Sequence, residues 1–306
     1  MLRNSKIGAL AVLAVLFVSS GQTTEAQAKL TAAEIADKNA AARGGLQAWR
    51  SVQTLSMSGK MGAGGNRRDA LPMAMPDKGK GKVNVPQRPA EEVQLPFLME
   101  MKRPHKMRFE LEFKGDTAVQ IFDGQNGWKL RPYLGRREIE AYSADELKSA
   151  SSESELDGPL IDYAAKGSQL ELLGTEKVEG RDCYKLKLTQ KNGAAKNVWV
   201  DANSFLEAKI EGQPRRLDGV YHPVEVYYRD YRAVNGLQIP FVLETKVLPV
   251  AAKPAATGKP TPAPTPIPSE KTVIDKVTIN PKLDDALFAK ASLEAKAPPA
   301  TAPAKK

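Results

Sequence analysis

Little in this chain is equipped for chemistry. Its 306 residues include one cysteine, Cys183, and two histidines, His105 and His222. A lone cysteine excludes an intrachain disulfide, so stability has to come from a hydrophobic core. About 200 residues outside the terminal and low-complexity stretches suffice for one sizeable domain. Each histidine sits beside a proline, in a bend or at a strand edge. There is no HxxxH, no cysteine pair and no compact carboxylate–histidine cluster, so no metal-ligand set is evident. The glycines make neither a P-loop nor a dinucleotide fingerprint. No nucleophile elbow anchors a Ser-His-Asp triad. Carboxylates are plentiful, but Glu110 and Glu112 alternate as a solvated strand face does. The expectation is a protein that is not an enzyme and uses no cofactor, with Cys183 a small strand residue rather than a reactive thiol.

The first 28 residues read as an export signal. Arg3 and Lys6 form a basic start, Ile7 to Val18 is an almost unbroken apolar run, and Ala26-Gln27-Ala28 fits a small-x-small cleavage site. The run is about 12 residues, too short to cross a bilayer comfortably. No cysteine lies near the cleavage site, so no lipid anchor is expected. The mature chain should be soluble and exported.

The net charge of +9 is not spread evenly. Residues 60–90 hold seven basic groups against two acidic, whereas residues 91–248 hold 23 basic against 26 acidic. The basic excess therefore sits in loops and tails, where it acts as a solubilising coat. A nucleic-acid groove needs clustered charge with interleaved aromatics on a folded face, and none is expected.

Period-two patterning dominates what remains. In Arg181 to Glu211, Tyr184, Leu186 and Leu188 alternate with Cys183, Lys185 and Lys187; Asn192-Gly193 turns the chain, and Val198 to Val200 returns. The same grammar recurs in 52–61, 97–102, 107–113, 117–122, 127–131, 169–178, 220–232, 237–247 and 272–279. Helices are few. Thr31-Ala-Ala-Glu34 and Ser143-Ala-Asp-Glu146 have capping-box spacing, and Pro159 with Gly167 frames a further predicted helix over Leu160 to Lys166. Residues 62–92 and 249–268 read as long mobile loops, rich in glycine and basic residues or in proline, and 291–306 as a disordered tail. The pattern predicts an α+β domain over residues 29–290: a curved, open antiparallel sheet with the 143–167 helices on its concave side.

A curved sheet incompletely filled by its helices leaves an apolar groove, and methionine adapts to ill-defined greasy partners. The candidate lining residues are Met99, Met101, Phe109, Leu111, Leu186, Leu188, Phe241 and Leu243.

Several stretches resemble a known group. AARGGLQAWRSVQTLSMSGKM, the turn Asp123-Gly-Gln-Asn-Gly-Trp128, GTEKVEGRDCYKLKLTQKNG leading into VWVDANSFLEAKIEG, GLQIPFVLETKV and INPKLDDALF are similar to the outer-membrane lipoprotein-sorting proteins of the LolA/LolB-like superfamily. The resemblance covers roughly residues 31–290 apart from the two long loops. It implies a half-barrel of about eleven antiparallel strands with helices in its concavity. It also implies a periplasmic protein whose cavity takes an acyl lipid or lipoprotein. The protein is expected to act as a monomer. The competing expectation is a periplasmic sensor or regulator that uses the same scaffold to bind an envelope protein.

Overall fold

The structure, a computed structural model, describes residues 30–63, 92–132, 136–217, 219–250 and 267–294. The expected signal segment, nearly all of the two long loops and most of the tail lie outside these residues.

Among the described residues, thirteen strands form one antiparallel sheet. They are β1 (Thr54–Ala63), β2 (Val93–Lys102), β3 (Lys106–Phe113), β4 (Asp116–Phe122), β5 (Gly127–Arg131), β6 (Arg136–Ala141), β7 (Gln169–Val178), β8 (Arg181–Thr189), β9 (Ala195–Asp201), β10 (Glu207–Leu217), β11 (Val220–Val234), β12 (Leu237–Val247) and β13 (Glu270–Ile279). The spatial order is β6-β5-β4-β3-β2-β1-β13-β12-β11-β10-β9-β8-β7. One meander thus runs outward from β1 to an edge, and the second runs inward from the other edge to β13. The two join where β1 pairs β13, with Leu55 opposite Ile279 and Met57 opposite Val277. The sheet is open, and its edge strands β6 and β7 are consecutive in sequence.

The count exceeds the expected eleven partly because β6 gives no sequence signal. Its residues are RREIEA, in which charge masks the alternation, and Ile139 is held by packing against Val119, Ile121 and Leu130. Three helices accompany the sheet: α1 (Ala32–Ala42) and α2 (Leu46–Ser51) precede β1, and α3 (Ala144–Glu153) lies between β6 and β7. Both expected capping boxes are present, with Thr31 and Glu34 on α1 and Ser143 and Glu146 on α3. The helix expected over 160–166 is instead a run of turns. Asp162 adopts φ 55, outside the right-handed helical region, while its carboxylate takes two hydrogen bonds from Arg50 at 2.7 and 2.8 Å.

Both faces of the sheet bury apolar side chains. On the core face, Leu55, Phe97, Met101, Met107, Phe122, Leu237, Ile239, Phe241 and Ile274 pack with Trp49 and Val52 from the α2 region and with Ala150 of α3. On the outer face, Val119, Ile121 and Leu130 are covered by Phe288 and Leu293. Leu293 belongs to α4 (Ala291–Glu294), which lies beyond the expected domain end at 290. Arg108, almost fully buried, holds this closing segment through hydrogen bonds to Leu287 O at 2.9 Å and Ser292 Oγ at 2.8 Å. Cys183 is buried in a separate cluster with Val178, Trp199, Ala208 and Tyr227. Burial, with Asp201 nearby, raises its thiol pKa.

Candidate functional site

The core face carries cross-strand rows set by the register of β1 to β4. Leu55, Met101, Met107 and Phe122 form one row. Met57, Met99 and Phe109 form the next, and Phe97 pairs with Leu111 beyond it. Burial is uneven from row to row, and Phe97 and Ile274, which flank Gly59 in the third row, are closed again at 7% and 4% exposed. The first row is 2–7% exposed beneath the helices, whereas Met57, Met61, Met99, Phe109 and Leu111 are only partly buried. Phe97 and Phe109 stack with ring centroids 6.0 Å apart. Five of the chain's eight methionines belong to this one cluster. Such a lining is unbranched, polarizable and able to repack around a guest.

A buried polar network holds the helical segments over the face. Arg43, just after α1, donates from Nη1 to Asp157 O at 2.8 Å and to Glu207 Oε1 at 3.2 Å. Its guanidinium lies 4.3 Å from the centre of the Trp49 ring. The indole Nε1 of Trp49 donates back to Arg43 O at 3.0 Å. Tyr231 Oη donates to Glu207, and burial together with that carboxylate holds the phenol in its neutral form well above its ordinary range. Asp157, 3% exposed, accepts from Arg103 Nη2 at 2.7 Å and Lys166 Nζ at 2.6 Å.

The structure brings Met99, Met101, Phe109, Leu111 and Phe241 into the core-face cluster. Met101 and Phe241 are buried there, while Met99, Phe109 and Leu111 keep partial access. Leu243 is partly buried on β12. Leu186 and Leu188 are fully buried on β8, next to the far edge strand. Sequence reasoning missed Met57 and Met61 as neighbours of Met99, although their own alternation in β1 carried the signal. It also missed the Arg43–Glu207 pair, whose partners are 164 residues apart and share no motif. A cavity of about 200 Å³ beside α3 reaches the face at Met107. Among the described residues, no group of three or more His, Cys, Asp or Glu is placed to hold a metal ion, and no helix is long and apolar enough to cross a membrane.

No protein-family model and no curated protein matches this sequence. Solved structures do match. A LolA superfamily protein from Nitrosomonas europaea aligns over 86% of this chain and 100% of its own, with 14% identity and a TM-score of 0.50. The fold is LolA-like. A domain from Vibrio parahaemolyticus, described as outer membrane lipoprotein-sorting, aligns over 86% of this chain and 98% of its own at 14% identity and a TM-score of 0.48. A DUF1329 family protein from Desulfovibrio piger aligns over 87% and 100% at 13% identity, also with a TM-score of 0.48. At such identities the LolA-like description concerns the path of the chain.

Proposed function

We propose that this protein is an exported, periplasmic carrier that binds an acyl lipid, or the acyl chains of a lipoprotein, reversibly and without chemistry. The observation that carries the reading is the group of partly buried apolar side chains on the core face. Met57, Met61, Met99, Phe109 and Leu111 pack against the buried core cluster yet stay only partly buried themselves. Burying an acyl chain yields about 0.8 kcal/mol per CH₂. A modest groove therefore retains a lipid without polar recognition of the chain itself. The LolA-like fold supports the reading, because a wide open sheet with helices on one face offers a half-barrel concavity. So does the signal-like first segment of the sequence.

Native mass spectrometry of protein purified from its own envelope tests this. The expected result is a population carrying a lipid mass that a fluorescent fatty acid displaces. Uniformly apo protein that binds no fatty acid refutes it.

One observation favours the partner-binding alternative. Val220 and Tyr221, at the β10–β11 turn, are 49% and 61% exposed, and exposed apolar neighbours serve protein contacts. In that case the purified protein is lipid-free and comes with an envelope protein, an association that Tyr221→Ser weakens.

A further inference from the structure

A second cavity, of about 300 Å³, lies on the other side of α3, among β9, β10 and β11. Its origin is a parting of strands. The β9–β10 ladder runs only from Glu207–Val200 to Ile210–Val198. Beyond it, the register of β10 against β11 slips between Gly212 and Arg215, a bulge at Gln213-Pro214. The Glu211 carboxylate then does what a ladder carbonyl would, accepting from Asn197 N and Nδ2 at 2.8 Å each.

Lys196 stands in this gap, two residues before Val198, where the pairing of β9 with β10 ends, and α3 contributes Lys148 and Ser152 to the opposite wall. The two carboxylates of the lining are already engaged. Glu211 is held by Asn197, and Glu225 accepts from Lys209 Nζ and Tyr227 Oη, both at 2.7 Å. The two cations are not. Lys196 Nζ reaches only Ser152 Oγ, at 3.4 Å, and among the described residues neither Lys196 nor Lys148 forms an ion pair. A half-buried ammonium with no contact ion pair, its nearest carboxylates Glu155 and Glu153 acting only at longer range, is costly unless a closer anion joins it. Burial lowers the pKa of Lys196, opposed by the fields of Glu155 and Glu153 and reinforced by that of Lys166.

We propose that this cavity binds an oxyanion, a carboxylate or phosphate carried on an organic ligand, with Lys196 as its counter-charge. Lys148 at the mouth adds a second positive charge, and Ser152 Oγ, Gln190 and Asn192 supply neutral hydrogen-bonding groups. The cavity holds a headgroup rather than a long chain. The assignment deepens the carrier reading and rests on it for the source of the ligand: the oxyanion is the headgroup of a lipid whose chain lies on the core face.

Isothermal titration with decyl phosphate, decanol and inorganic phosphate tests the site. Wild-type protein should bind decyl phosphate about tenfold more tightly than decanol. Lys196→Gln should abolish that preference without weakening decanol binding, and Lys196→Arg should retain it. Inorganic phosphate binding that depends on Lys196, with no decanol binding, supports the site but assigns it to free phosphate and removes the carrier reading. Decanol binding with no phosphate preference, or with one that survives in Lys196→Gln, overturns the site and leaves the carrier reading intact. Acetylation of the wild-type protein needs no variant to fold: decyl phosphate should protect Lys196, and unchanged modification overturns the proposal.

Discussion

Arg103 and Asp157 join two parts of the chain that no local pattern connects. Arg103, at the β2–β3 turn, donates from Nη2 to Asp157 Oδ2 at 2.7 Å. Its Nε donates to Val52 O at 2.7 Å and the same Nη2 to Trp49 O at 3.1 Å. One guanidinium therefore fastens the end of α2, the β2–β3 turn and the crossover between the two sheet edges.

Removing the anion should uncouple them. Asp157→Ala leaves Arg103 and Lys166 without their shared carboxylate in a mostly dry site. Breaking a buried pair costs about 3–5 kcal/mol. The low end applies because 27% of the Arg103 side chain stays accessible. Urea denaturation should show a loss of about 3 kcal/mol, and an unchanged midpoint would mean that the clamp is idle.

Acid should weaken the outer face of the second meander. Glu179 accepts from both terminal nitrogens of Arg229, one at 2.7 Å, and the guanidinium brings its carboxyl from 4.5 down to about 2, against the opposing effect of burial. A depressed folded value contributes stability that is complete above the unfolded value and is lost as pH falls. The loss should run from about pH 4.5 down through about pH 2. Glu179→Gln should flatten that part of a stability–pH curve, and a variant curve parallel to wild type would refute the assignment.

Positions on one sheet should respond differently to the same substitution. Leu111→Asn and Met99→Asn alter partly buried side chains, so the fold should survive and fatty-acid affinity should fall about tenfold. Leu188→Asn puts an amide where exposure is 1% and should cost about 3 kcal/mol or more. Melting and fluorescent-lipid titration, run together, separate these effects. If Leu111→Asn merely unfolds and wild type binds nothing, the face is ordinary core.

The α1–α2 corner offers a matched pair of glycines. Gly44 has φ 109, and a Cβ there would lie 2.4 Å from the backbone oxygen of Gly236. Gly45 has φ 96, and a Cβ would meet nothing within 4 Å. Gly45→Ala should cost about 1–3 kcal/mol from backbone strain alone. Gly44→Ala adds a collision with backbone that no rotamer relieves, so it should cost clearly more. Equal melting temperatures would show that the corner yields.

Much of the architecture was legible because alternation is a local property. Met99 and Met101, or Phe109 and Leu111, announce their shared face within a few residues, and the Thr31 and Ser143 boxes mark two helix starts. Legibility failed where a tertiary contact chose the conformation. β6 pairs with β5 despite its charged residues, its Ile139 packed on the outer-face cluster, and Asp162 turns out of a helix toward Arg50.

The sequence by itself determined the strands, most turns, the two capped helices and the apolar character of one sheet face. It could not rank the residues on that face. Met101 and Met99 look alike in the chain, yet one is buried under the helices and the other keeps partial access. That difference depends on where α2 and α3 dock, and the docking is held by Arg43–Glu207 and Arg103–Asp157. The gap at Lys196 depends in the same way on where β9 and β10 part. A period-two pattern specifies which side of a sheet a residue occupies, but how far along that side the cover extends is decided by contacts between groups distant in sequence.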